Sequence, residues 1–385
     1  MSVKTPVYLD YQATTPLDPR VLDAMLPFFT EKFGNPHSVA HRYGWEADAA
    51  IEVAREDIAD VIGARADEIV FTSGATESNN LIIKGVMAAN LETKPHLVTV
   101  ATEHKCVLEC AAQIGAWGGR VTYLPVESSG LIDLQSLEDA VTPETALVSV
   151  MAVNNEIGVV QPLAEIGEVV RAKGALFHTD AAQAFGKIPL DVDAMRIDFM
   201  SLSGHKIYGP KGIGAAYIRK PLQSELAPQM SGGGQQGGLR SGTLAPALCV
   251  GFGAAAKIAK AEMAEEGERI ATLSRRFLET VRAALPDTVA HGTLERRYAG
   301  NLNLGFPGLD GDLLLANLRD LAVSSGAACA SAETGPSYVL QALAVDGAMA
   351  KASLRIGFGR FTTEEDVAFA AERLIRVVSE MRMAA

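Results

Sequence analysis

A chain of 385 residues exceeds what one compact hydrophobic core usually fills, so two domains are the starting expectation. With 48% hydrophobic and 21% charged residues it lies in the ordinary globular range, which excludes a disordered or low-complexity chain. The 34 Lys and Arg against 46 Asp and Glu give a net charge of -12, which argues against nonspecific nucleic-acid binding and favours solubility.

The start of the chain, Met1-Ser2-Val3-Lys4-Thr5-Pro6, runs into Val7-Tyr8-Leu9-Asp10 with no apolar h-region, transit segment or lipidation signal. No apolar run reaches bilayer length, so a cytoplasmic protein with no membrane partner is expected. Apolar residues at helical spacing predict a helix over 46–62, and a strand over 68–72 follows. The same alternation continues with strands at 96–101, 120–126 and 146–153, and helices at 105–116, 134–141 and 164–173. Strands at 175–178, 198–202 and 214–218 come next, and the repeated β and α units predict an α/β fold with a mainly parallel sheet covered by helices on both faces. A long helical stretch over 245–285, with one break, bridges to a smaller α/β domain. There, strands are expected at 301–304 and 353–356 and helices at 311–319 and 363–381. The N-terminal arm is expected to join that second domain or a partner subunit.

In open parallel sheets ligands bind beyond the carboxyl ends of the strands, and here those positions are polar. Thr72-Ser73-Gly74-Ala75-Thr76-Glu77-Ser78 is a small, glycine-containing turn feeding a helix; it reads as a phosphate cradle or as an ordinary capping box. Glu103-His104, Asn154-Asn155-Glu156 and Thr179-Asp180-Ala181-Ala182-Gln183 follow other strands. A carboxylate directly behind a buried strand needs a cationic partner or hydrogen bonds. For Asp180 that partner is either Lys206, in Ser203-Gly204-His205-Lys206-Ile207-Tyr208-Gly209-Pro210, or a protonated pyridine nitrogen whose cofactor aldehyde condenses with the Lys206 amine. His104 reads as a satisfied interior histidine or as a ring stacker.

The four cysteines, Cys106, Cys110, Cys249 and Cys329, form no Cys-x-x-Cys pair, so reduced thiols and no intrinsic metal site are expected. Cys106 and Cys110, four apart on a predicted helix, are read as lining its apolar face, and Cys249 as core. Cys329 lies in Ser324-Ser325-Gly326-Ala327-Ala328-Cys329-Ala330-Ser331-Ala332, a small-residue run suited to a mobile, accessible loop. The run from Ser231 to Gly238 reads as a linker, and its continuation Arg240-Ser241-Gly242-Thr243 suits anion contact.

With these segments in hand, the sequence resembles the NifS/IscS-type cysteine desulfurases of the fold-type I pyridoxal phosphate superfamily. The resemblance runs from Tyr8-Leu9-Asp10-Tyr11-Gln12-Ala13-Thr14-Thr15-Pro16 through Gly359-Arg360-Phe361-Thr362-Thr363-Glu364-Glu365. Its most specific pieces are Gly34-Asn35-Pro36-His37-Ser38, the run from Phe71 to Asn79, Val153-Asn154-Asn155-Glu156-Ile157-Gly158, Ser203 to Pro210, Arg240 to Thr243 and Ser324-Ser325-Gly326.

The resemblance implies a large cofactor domain over 15–258 with a seven-stranded sheet, and a small domain over 1–14 and 259–385 carrying a mobile cysteine loop near 324–335. It implies pyridoxal 5'-phosphate held covalently by Lys206, with Asp180 on the pyridine nitrogen, Gln183 on the phenolic oxygen and His104 stacked on the ring. Ala75, Thr76, Ser203 and His205 would contact the phosphate, joined by Thr243 from the other subunit of a homodimer. Asn155 and Arg355 resemble the residues that bind the carboxylate of L-cysteine. Cys329 falls on the nucleophile that takes sulfur as a persulfide for an acceptor protein, such as an iron-sulfur scaffold, and it could contact a transferred cluster. The same cofactor also serves selenocysteine lyase and other β-eliminations, and an inactive interaction protein is the reading from a different class. Three departures stand out. The chain stops at Met381-Arg382-Met383-Ala384-Ala385 where many relatives carry a Trp-containing scaffold-docking tail, which leaves docking open. Gln236-Gly237-Gly238-Leu239 replaces an acidic-arginine pair before the glycine, and Ala327-Ala328-Cys329-Ala330 replaces the commoner Ser and Thr neighbours.

Overall fold

Runs rich in Val, Ile, Leu and Phe cannot leave either face to water, and they form strands buried on both sides. The protein is described here from a computed structural model, for residues 3–325 and 335–384. In chain order its strands are β1 (Val7–Tyr8), β2 (Ile69–Thr72), β3 (His96–Val100), β4 (Arg120–Leu124), β5 (Thr145–Ser149), β6 (Leu176–Asp180), β7 (Phe199–Ser203) and β8 (Gly214–Ile218). After the long helix come β9 (Val289–Ala290), β10 (Asn301–Gly305), β11 (Leu321–Ala322), β12 (Ser324–Ser325) and β13 (Ser353–Gly357).

The central sheet has seven strands in the order β2-β8-β7-β6-β5-β3-β4. Only β8 runs antiparallel to its neighbours, so the expected mainly parallel sheet is present, with one reversed strand inside it. Every residue of β2, β3, β5, β7 and β8 is buried. Helices close both faces. One core joins Ile51, Ile58, Phe71, Phe177 and Phe252, and another joins Ile82, Met87, Leu97, Val107 and Ile114.

A second sheet of four antiparallel strands has the order β12-β13-β10-β9. Its core contains Leu302, Leu304, Leu354 and Ile356 together with Val7 and Leu9 of the N-terminal arm. The arm is tied there by parallel pairing of Val7 with Leu321 and Tyr8 with Ala322. Ser324 and Ser325, read from sequence as part of a loop, instead pair with Arg355 and Leu354.

One continuous helix, Pro246–Ala284, serves both cores. Proline at its first turn costs no hydrogen bond, because that amide would lack an intrahelical acceptor anyway. Cys249, Phe252, Ala255 and Ala256 pack on the central sheet side, whereas Ile270, Leu273, Phe277 and Val281 belong to the second core. The break expected within this stretch is absent. Gly253 is not a hinge but a contact: a Cβ there would come within 2.6 Å of the Ala54 Cα on the helix Arg42–Ile62. Gly253→Ala is therefore expected to push the two helices apart and lower stability by about 1–3 kcal/mol. Thermal or urea denaturation reads the effect, and an unchanged midpoint would show that this contact yields freely.

Candidate active site

Five strands of the central sheet deliver side chains to one cavity of about 570 Å³ at their carboxyl ends. Ser73 to Glu77 follow β2, His104 and Cys106 follow β3, and Met151 and Asn155 follow β5. Asp180, Ala182 and Gln183 end β6, while Ser203, His205 and Lys206 end β7. Because β8 is reversed, its approach at Lys211-Gly212 reaches the same edge. The arm adds Gln12 and Thr14.

Asp180 is 4% exposed, and each carboxylate oxygen has a donor. Oδ2 accepts from Asn79 Nδ2 at 2.7 Å and Oδ1 from the Ala182 amide at 2.9 Å. Two neutral donors hold the carboxylate in place without neutralising it. Nearby Glu103 is fully buried, and its Oε1 accepts from the Met151 amide at 2.5 Å. Burial, reinforced by the Asp180 charge, raises the Glu103 carboxyl well above its ordinary range, which disfavours a second negative charge beside Asp180.

His104 caps the helix Lys105–Ala116, its Nδ1 accepting from the Cys106 amide at 3.2 Å. An accepting Nδ1 leaves the ring proton on Nε2. Burial lowers the proton affinity of the ring, with Lys206 and Lys105 acting in the same direction and Asp180 against it. Cys106 departs from expectation. It lines the cavity, its Sγ 3.0 Å from His104 Nδ1 and 3.1 Å from Asn79 Nδ2, because the first turn of that helix faces the strand ends. Burial keeps it a thiol. Cys110 and Cys249 are core, as read from sequence, and burial pushes their thiols up to about 11 and about 12.

Lys206 ends the 3-10 turn Gly204–Lys206, and its Nζ donates to the carbonyls of Gln12 at 2.6 Å and Ala13 at 2.8 Å. Its neighbour His205 meets Thr14 Oγ1 at 3.0 Å, and burial together with Lys206, Lys211 and Lys187 lowers it to about 4. Gln183 Nε2 donates to the Gln12 carbonyl at 2.8 Å. Gly74 takes φ 152°, a conformation open to glycine, and a Cβ at that position would find nothing within 4 Å. The helix that begins at Ala75 exposes first-turn amides beside Thr76, Ser203 and His205. A small-residue cradle, a buried carboxylate with donors on both oxygens, a lysine amine and a neutral imidazole fit a phosphorylated pyridine aldehyde.

Not every expected residue lines this cavity. Arg355 is 1% exposed and lies behind Asn155, donating to the Asn155 carbonyl at 3.2 Å and pairing with Asp10 at 2.8 Å. Asn155 itself lines the cavity, and its buried Oδ1 has no hydrogen-bond partner among the described residues. Thr243 is exposed on the surface and not among the lining residues, and Arg240 pairs with Glu77 at 2.7 Å. The linker reading of the glycine run is replaced by an anchor: Gln236 bonds both the amide and the carbonyl of Phe71, at 2.7 and 2.8 Å. Cys329 lies outside the described residues. The segments flanking it are tied to the site's surroundings: Ser324 donates to Asp10 at 2.7 Å, Ser337 to Glu156 at 2.5 Å, and Tyr338 to the Glu103 carbonyl at 2.6 Å.

Residues 7–369 match the family Aminotransferase class-V. The chain is 53% identical over 377 residues to the cysteine desulfurase IscS of Rickettsia bellii, covering 98% of this chain and 92% of that protein. It is 54% identical over 380 residues to the cysteine desulfurase of Homo sapiens, covering 99% of this chain and 83% of that one. A solved NifS-like protein superposes with a TM-score of 0.91 at 37% identity, over 97% of this chain and 99% of its own. SspA, solved in complex with cysteine, gives a TM-score of 0.83 at 41% identity, over 92% and 99%.

Burial raises Glu156 from the ordinary 4.5 to about 7, opposed by its bond from Ser337 and by the Arg355 charge. A folded state that holds a proton more tightly than the unfolded chain loses stability as pH rises between those two values. Glu156→Gln is expected to flatten the melting temperature across about pH 4.5 to 7 relative to the parent; identical slopes would show that Glu156 does not titrate there.

Proposed function

The chain belongs to the class-V aminotransferase family and, within it, to the cysteine desulfurases, and from that membership we propose how its own residues divide the work. It is an enzyme that converts L-cysteine to L-alanine with transfer of the sulfur as a persulfide. The observation that carries the division of labour is the meeting of Asp180, His104 and Lys206 at the carboxyl ends of three strands of one sheet, around one cavity.

Pyridoxal 5'-phosphate is the family's cofactor, and when bound it supplies an aldehyde for covalent attachment and an electron sink for the substrate Cα. We assign its aldehyde to Lys206, its pyridine nitrogen to Asp180, its phenolic oxygen to Gln183 and its ring face to His104. Its phosphate falls to Ala75, Thr76, Ser203 and His205. The lowered proton affinity of His205 supports the assignment only as a neutral hydrogen-bonding group, so the anion is met by dipoles and by nearby lysines.

We assign the substrate carboxylate to Asn155 on the cavity wall together with Arg355, which bonds the Asn155 carbonyl from behind. Lys206 Nζ takes the Cα proton and returns it, which requires an amine within reach of the substrate and held by carbonyl acceptors, as Gln12 and Ala13 hold it. The Cys329 thiolate attacks the substrate sulfur. An S–S bond forms as the Cβ–S bond breaks, the electron pair stays on Cβ, and a proton completes the methyl group of alanine. Sulfur then leaves on Cys329 as a persulfide for an acceptor protein, with iron-sulfur cluster assembly the destination we favour.

We further assign a homodimer. Phe29, Phe33, Tyr43 and Trp45 are each more than half exposed, at 57, 62, 53 and 58%, a cluster that favours coverage by another surface. Thr243, exposed and away from its own chain's cavity, suits a phosphate contact across such an interface. No described helix is long and apolar enough to cross a membrane, and we place the protein in the cytoplasm.

Borohydride reduction of the cofactor-loaded protein is expected to fix the label on the peptide containing Lys206. Lys206→Ala removes both the visible band and alanine formation. Cys329→Ser keeps the band and lowers alanine formation by at least about 100-fold, the scale on which loss of a covalent nucleophile is felt. A label on Lys187 or Lys211, or unchanged turnover by Cys329→Ser, contradicts the assignment.

A further inference from the structure

Gln183 carries an amide with a donating end and an accepting end, and its neighbours decide which end meets the cavity. Its Oε1 accepts from Lys187 Nζ at 3.0 Å. Its Nε2 donates at 2.8 Å to the Gln12 carbonyl, the same oxygen that accepts from Lys206 Nζ at 2.6 Å. The nitrogen end of Gln183 is thus lodged beside the reactive lysine. Turning the amide over would set its NH2 against the Lys187 donors and its oxygen against the Gln12 carbonyl. Both new pairs are repulsive in a residue only 4% exposed, where unmade hydrogen bonds are costly.

Lys187 is itself tightly placed. Gly186 before it takes φ 67°, and a Cβ there would meet the Ala259 Cβ at 2.8 Å, so the turn lies directly against the long helix. Its Nζ stands 5.2 Å from the centre of the Tyr298 ring, with Lys206 and Glu266 as the charged groups that act on it. Burial, with the Lys206 charge in the same direction and Glu266 opposing, lowers its amine to about 7. The ammonium has donors and no acceptor and so fixes Oε1; the neutral amine still donates but gains a lone pair, which leaves the Gln12 carbonyl to hold the amide orientation once Lys187 is deprotonated.

We propose that Lys187 is a positioning residue that fixes the Gln183 amide with its N–H end toward the cavity, so that Gln183 meets the cofactor's phenolic oxygen as a donor and never as an acceptor. This rests on the cofactor assignment above and adds to it the residue that sets the polarity of one contact. Donation to a phenolate stabilises the anion and weakens the hold on the neighbouring proton of the lysine-bound cofactor.

The test is the pH midpoint of the visible band of the cofactor-loaded protein, in a double-mutant cycle with Lys187→Met and Gln183→Leu. Lys187→Met alone is expected to raise the midpoint by about one pH unit, a tenfold tighter proton. In the Gln183→Leu background, Lys187→Met is expected to add nothing, because its effect passes through the amide. Lys187→Arg, which retains the charge and an N–H donor, is expected to keep the parent midpoint. Equal shifts in both backgrounds would mean that the Lys187 charge acts directly, and no shift in either would mean that the amide is fixed without it. Each of those results overturns the proposal. If Lys187→Met does not fold, Lys187→Leu, which also lacks an N–H donor, replaces it in the cycle with the same expectations. A parent protein that forms no visible band with added pyridoxal phosphate would sink the cofactor assignment instead, so the two failures are distinct.

Discussion

Asp180 ends a strand buried in the middle of a seven-stranded sheet, and a charge in that position must be compensated where it stands. Asn79 and the Ala182 amide steady it with neutral donors, and burial together with the Asp180 charge raises the carboxyl of nearby Glu103 well above its ordinary range. Much else follows from this. Asn79 reaches Cys106 as well as Asp180, Cys106 touches His104, and the imidazole is thereby fixed against the same carboxylate network. A cationic ring nitrogen placed against Asp180 would turn the cost of the buried charge into the main source of binding and of electron withdrawal.

The second sheet contributes through side chains that cross to the first. Asp10, on the arm just after β1, pairs with Arg355 of β13 and accepts from Ser324 of β12. Glu156, beside the cavity residue Asn155, accepts from Ser337. Arg355 and Ser324 therefore share Asp10 as a partner, which ties the N-terminal arm to both β12 and β13.

Much of the fold is legible in the sequence because the strands of the central sheet are short apolar runs and their following residues are polar. His96–Val100, Leu176–Asp180 and Gly214–Ile218 all announce themselves in this way. The strands β1, β9, β11 and β12 do not: two residues carry no periodicity, and they exist only because partners distant in sequence supply their hydrogen bonds. A glycine inside a helical run suggests a break, yet Gly253 is there to let Ala54 approach. The site shows the same division. Asp180, His104 and Lys206 are visible as chemistry-bearing residues at strand ends. Gln12 is not, since its carbonyl meets Lys206 across 194 residues of chain. The spacing of Cys106 to Cys110 implies a shared apolar face, whereas the place of Cys106 in the first helical turn puts it at the cavity. Asn79 carried no sequence signal of its role; it is one more polar residue in a helix until the fold brings Asp180 to it.

Separate roles for a cofactor-binding lysine and a sulfur-accepting cysteine are the centre of the mechanism we propose. The most direct measurement is a single turnover with L-cysteine in the absence of reductant, followed by alkylation and peptide mass mapping. One additional sulfur atom on the peptide bearing Cys329, in step with one alanine released, is the predicted result. Alanine formed with the extra sulfur on Cys106, or on no cysteine at all, would contradict it.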